Sequence, residues 1–163
     1  MKISLAGTFL VLRRCYTCLQ EQNAFDQPLG DWDVSSVMDM GGMFASATSF
    51  NQPLAGWGVS RVMDMRYMLN TATSFKQPLG AWDVSSVMDM SVMFAYADSL
   101  NQPLGDWDVS SVMDMYWMFY SATSFNQPLA GWDLSSVTEM TSIFFQTGCP
   151  EKEGQQCCFD VCY

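Results

Sequence analysis

From Phe25 onward, apolar and polar positions return in the same order every 25 residues. Phe25, Phe50, Phe75, Leu100 and Phe125 form one column of equivalent positions, and Trp32, Trp57, Trp82, Trp107 and Trp132 form another, with no insertion or deletion between copies. Five consecutive units therefore fill residues 25–149. A fixed period between about 20 and 50 residues marks a stacked repeat array. A unit this short cannot enclose a core of its own and buries its apolar face against its neighbours.

Two local periods follow one another inside the unit 25–49. Trp32 and Val34 alternate with Asp31 and Asp33, the period of a half-buried strand. Ser36 stands three residues before Asp39, which predicts a helix cap followed by an acid in the first turn. Val37, Met40, Met43, Phe44 and Ala47 then fall at helical spacing on one arc. Gly41 and Gly42 weaken this helix in the first unit, whereas later units carry Arg66-Tyr67, Ser91-Val92 and Tyr116-Trp117. Pro28 and its copies have no N–H, so no ladder runs through that column. Each unit thus reads as short strand, helix and fixed extended turn. Strands about 4.8 Å apart would align Gln27, Gln52, Gln77, Gln102 and Gln127 into an amide ladder, with the Trp column and most of the 14 methionines in the core.

The flanks differ from the units. Lys2 precedes an apolar run over residues 3–12, shorter than the about 20 residues that span a bilayer. Arg13-Arg14 follow it and no A-x-A cleavage site appears, although the run has the look of a signal segment. Counting back one period sets Leu12, Cys15, Cys18 and Leu19 on Val37, Met40, Met43 and Phe44. Residues 1–24 then form an N-terminal cap ending in a degenerate half-repeat. Pro150 breaks the pattern, and residues 150–163 form a Cys-rich C-terminal cap.

A net charge of −10 with only 7 Lys and Arg argues against nucleic acid or an anionic membrane as partner. Histidine is absent, which removes Ser-His-Asp and Cys-His catalysis and every His-containing metal site. Cys15 and Cys18 point inward in the capping register as buried thiols. Cys149, Cys157, Cys158 and Cys162 gather at the other end and are disulfide candidates, which would place the chain in an oxidising compartment; four cysteines allow three pairings.

Asp33, Asp83, Asp108 and Asp133 should stack on one outward face, where Ca²⁺ could be recruited as a cofactor. The competing reading is a solvated face whose carboxylates hydrogen-bond the turns. Asp39, Asp64, Asp89, Asp114 and Glu139 fall at helix N-termini. A carboxylate pair for glycoside hydrolysis could be drawn on either column in every copy alike, so nothing singles out a catalytic pair and the chain reads as non-enzymatic. On the helix wheel, positions 38, 42 and 46 point outward. They carry Met88, Val92, Tyr96, Met113, Trp117 and Ser121, with Tyr116 and Tyr120 beside them. Aromatic and Met side chains on an outer face mark a protein interface, with Trp117 as its anchor. If SVMDM is extended instead, Met38, Met63, Met88 and Met113 would join the core.

The order F-N-Q-P-L-x-x-W-D-V-S-S-V-x-D-M-x-x-M-F-x-x-A-x-S resembles the BspA-like leucine-rich-repeat surface proteins, whose 25-residue repeat is also that of mycoplasma lipoproteins. Leu29, Trp32 and Val34 form an L-x-x-W-x-V like the L-x-x-L-x-L core of such repeats. The resemblance implies an α/β, leucine-rich-repeat-like solenoid of five 25-residue strand–helix units with irregular caps, extracellular or on a cell surface. It implies adhesion-type binding of protein partners without catalytic residues. The chain departs from the pattern in lacking a lipobox-type cysteine, and in carrying Met38, Met63, Met88 and Met113 where Thr is expected, as at Thr138. The expected function is a non-enzymatic protein-binding module. The alternatives are a structural spacer in a larger assembly and a Ca²⁺-dependent surface or glycan binder.

Overall fold

A computed structural model of the chain describes residues 2–5, 8–11, 24–30, 32–149, 151–152 and 155–156. At the N-terminal side, β1 (Lys2–Leu5) pairs antiparallel with β2 (Thr8–Val11), Lys2 opposite Val11. At the other end, β3 (Glu151–Lys152) pairs with β4 (Gln155–Gln156). The expected half-repeat with Leu12, Cys15, Cys18 and Leu19 lies outside the described residues, as do Cys157, Cys158 and Cys162.

The described residues between these hairpins contain no helix and no strand beyond isolated bridges. The expected α/β leucine-rich-repeat-like solenoid of strand–helix units is therefore overturned. An α-helix would need each N–H to reach the carbonyl four residues back. Here the chain closes a succession of three-residue steps instead. In the first unit Trp32 N–H donates to Leu29 O, Val37 to Val34, Met43 to Met40, Ala45 to Gly42, Ala47 to Phe44 and Phe50 to Ala47, at 2.9–3.2 Å.

Two residues of every unit hold left-handed backbone: Gly42 and Ser46, then Tyr67 and Thr71, Val92 and Tyr96, Trp117 and Ser121, Ser142 and Gln146, with φ between 53° and 62°. Each is the third residue of a four-residue turn, the position that type II turns require to have positive φ. These two residues reverse the backbone where a helix would have continued it. The N–H groups not used within a unit bond to the next. Met40, Gly42, Phe44 and Ser46 donate to the carbonyls of Asp64, Arg66, Met68 and Asn70 at 2.8–2.9 Å, and Met63 N–H returns to Met38 O at 2.8 Å. Parallel bridges join Asp39 to Asp64, Asp64 to Asp89, Asp89 to Asp114 and Asp114 to Glu139. The backbone of this segment is thus satisfied between units rather than within a helix.

The corners of the turns face inward and stack into continuous apolar columns. Leu54, Val62, Met65, Met68 and Phe75 are fully buried, as are their copies Leu79, Val87, Met90, Met93 and Leu100. Phe25, Phe50 and Phe75 stack at 5.8 Å steps. Trp57, Trp82, Trp107 and Trp132 are buried, and Trp32 at the array's edge is half-buried. Each buried indole N–H reaches the carbonyl of the Leu in the preceding unit, as Trp82 Nε1 does to Leu54 O at 3.0 Å.

The glutamines do not bond to one another as expected. Gln77 Nε2 and Gln127 Nε2 donate to Asn51 Oδ1 and Asn101 Oδ1 of the preceding unit, and Gln102 Nε2 to Lys76 O. The expected amide ladder is thus replaced by diagonal bonds, each from a glutamine to the residue one column before it in the preceding unit.

Candidate functional site

Two surface features run across the units on the outer side of the turn segment. The first is a column of methionines. Between Val37 and Met40 the chain is extended, so two residues project outward before the next corner. Met38, Met63 and Met113 are 49%, 36% and 47% exposed, and Met88 is half-buried. An extended SVMDM was expected to carry this column into the core; it is extended, but the column faces out while Met40, Met65, Met90 and Met115 fill the interior. Met38, Met63, Met88 and Met113, with serines and Arg61, line an open groove of about 820 Å³.

The second feature is an aromatic strip on the left-handed turns. Tyr96 packs on Tyr120 at 5.5 Å, and Tyr120 stacks on Phe145 at 4.9 Å, so three units are connected through rings. Trp117 stacks on Tyr120 at 4.3 Å and Tyr116 on Trp117 at 5.0 Å. Tyr96 is 42% exposed and Phe145 47%, while Tyr116, Trp117 and Tyr120 are half-buried. Val92 and Ser121 are corrected: both are buried, and Ser121 Oγ donates to Gln146 Oε1 of the next unit at 3.0 Å. Sequence reasoning missed Phe145, which shares Tyr120's column, and Tyr67, 44% exposed in the column of Trp117. Translating positions 42 and 45 through every unit would have found both.

The carboxylates serve the turns. Asp33, Asp83, Asp108 and Asp133 each accept the N–H of the serine two residues on, and the first three also accept its hydroxyl at 2.6 Å. Those bonds hold the carboxyls of Asp108 and Asp133 below the ordinary carboxylate range. Asp39, Asp64, Asp89, Asp114 and Glu139 likewise accept the N–H two residues on, which corrects their assignment to helix N-termini. A hydroxyl bond from Thr141 pulls Glu139 down, whereas burial raises Asp64 against the bond from Arg66 N–H and the Arg66 charge, its Nε 3.2 Å away. Among the described residues no three His, Cys, Asp or Glu side chains come close enough together to hold a metal ion. Cys149 is buried and disulfide-bonded.

A family model described as "Mycoplasma protein of unknown function, DUF285" matches residues 12–87 and again residues 55–155. The chain belongs to the DUF285 family. The two overlapping matches together span residues 12–155 and so include all five repeat units. No curated protein and no solved structure matches the chain. Among the described residues no helix is long and apolar enough to cross a membrane.

Proposed function

We propose that this DUF285 chain is a non-enzymatic binding module that captures a protein partner on the aromatic strip of its third to fifth units. The observation that carries the reading is the ring path Tyr96–Tyr120–Phe145 with Trp117 and Tyr116 alongside, partly exposed in a molecule whose core is already filled by other columns. Rings held against one another lose little freedom on binding, and Trp and Tyr are the side chains most enriched at interface hot spots. The net charge of −10 favours a partner with apolar anchors and a basic rim. The likeness of the repeat to BspA-like surface proteins favours display at a cell surface.

The test is quantitative binding of a partner cross-linked to the intact protein, compared between the native chain and Trp117→Ala. The substitution is expected to leave the fold in place and weaken binding by more than about 2 kcal/mol. A partner held equally well by both would contradict the strip as the site. Contacts mapped only to the two ends of the array would point instead to a spacer within an assembly.

A further inference from the structure

Outside the aromatic strip, four thioethers stand in one outward column, and core packing does not account for them. In the first four units the interior is already filled by two other Met columns, Met40 and Met43 in the first unit, both fully buried. The outward methionines are held at a fixed step by their own backbones. Met63 N–H donates to Met38 O at 2.8 Å, Met88 to Met63 O at 2.9 Å and Met113 to Met88 O at 2.9 Å. Chains paired in this way lie about 4.8 Å apart. Taking the zinc value of about 2.3 Å for a metal–sulfur bond, a linear sulfur–metal–sulfur bridge spans about 4.6 Å. The step of the array thus matches the span of a two-coordinate ion, and the rotatable Met side chain supplies the small adjustment.

The donor chemistry selects the ion. A thioether is a soft, neutral ligand that prefers Cu(I) to hard cations such as Ca²⁺ or Mg²⁺. Neutral ligands leave the ion's charge to be balanced by the rest of the molecule, here at −10. The groove is not uniform along its length. Arg61 lines it in the second unit, where later units have Ser86, Ser111 and Ser136, so a cation is favoured toward the third and fourth units. At the far end Thr138 replaces the thioether, and its hydroxyl donates to Met113 O at 3.0 Å.

We propose that Met88 and Met113 bind a soft monovalent d¹⁰ cation between their sulfurs, Cu(I) in a cell. The site is separate from the aromatic strip and does not depend on it. The experiment uses the full chain with free thiols alkylated and methionine methyls labelled with ¹³C, titrated with silver nitrate in chloride-free buffer. Ag(I) is the redox-inert probe. The methyl resonances of Met88 and Met113 are expected to shift together and saturate with a single ion per chain, the buried methionines staying in place. Ca²⁺ is expected to move none of them. The double variant Met88→Leu/Met113→Leu keeps the apolar volume and should weaken Ag(I) binding by about tenfold or more. No shift of these two methyls in the native chain, or equal Ag(I) affinity in the double variant, would overturn the site. A shift produced only by a protein partner would make the groove a docking surface and end the metal assignment.

Discussion

Met113 and Met115 sit two residues apart in the same unit and live in opposite environments. Met115 is fully buried, while Met113 is 47% exposed. Local turn geometry separates them. Met115 O accepts Met118 N–H at 3.1 Å, which makes Met115 a turn corner pointed at the stack's interior. Met113 lies on the extended stretch before that corner, its N–H spent on Met88 O of the preceding unit. The same contrast recurs in the first three units, so residue type does not decide which side a position faces. The succession of turns does, and burial follows from it.

The largest effects should come from forcing the two columns to trade places energetically. Met115→Ala removes a fully buried side chain and should cost about 2–5 kcal/mol of stability. Met113→Ala should stay within about 0.5 kcal/mol of the native protein. Denaturant melts of the two variants decide the matter, and equal losses would erase the distinction between inner and outer columns.

A smaller effect sharpens the reason for that distinction. Ser46 has φ of 62°. A left-handed residue other than Gly costs about 1–2 kcal/mol, against about 0.5–1 kcal/mol for glycine's extra chain entropy. Ser46→Gly should therefore raise stability by about 0.5–1 kcal/mol. In a helix the same change would lower it, since Gly is a poor helix former.

The pH dependence should be the smallest signal and runs in two directions. Asp108, Asp133 and Glu139 are held below their ordinary values by turn hydrogen bonds. The stability they contribute is complete above their unfolded values, near about 4, and is lost as pH falls through the lower folded values. Asp64 is raised by burial, so its ionised form opposes folding and acidification relieves it. Asp64→Asn should therefore increase stability more at neutral pH than at pH values where native Asp64 is already protonated. Thermal melts of both proteins across the acid range check this, and a uniform gain at all pH values would assign the effect to something other than the charge.

The repeat boundaries and the inward Trp column could be read from the sequence, because each depends only on the fixed period and on which side chains water rejects. A helix wheel places the Met38 column outward, but the turns replace that wheel; the column faces out because it lies on the extended stretch before each corner. The helix could not be told from the turns. Val37, Met40, Met43, Phe44 and Ala47 satisfy helical spacing, but turns that close at three-residue steps place apolar corners at the same intervals. The deciding feature is the left-handed backbone at positions 42 and 46, and glycine announces it at Gly42 alone among these ten residues. Where Val92, Trp117 and Thr71 take the same conformation, nothing in their identity signals it. Misreading the turns as a helix also moved Val92 and Ser121 to the surface. The half-buried aromatics of the fourth unit survived the misreading, because Trp117 and Tyr120 keep part of their surface on the outer side in either geometry.

Backbone φ angles from NMR couplings and shifts at Val92, Tyr96 and Trp117 test the stacked-turn account most directly. The account gives values close to 59°, 59° and 54°, with the flanking residues at negative φ. Values near about −63° through the whole segment would mean a helix and would contradict it.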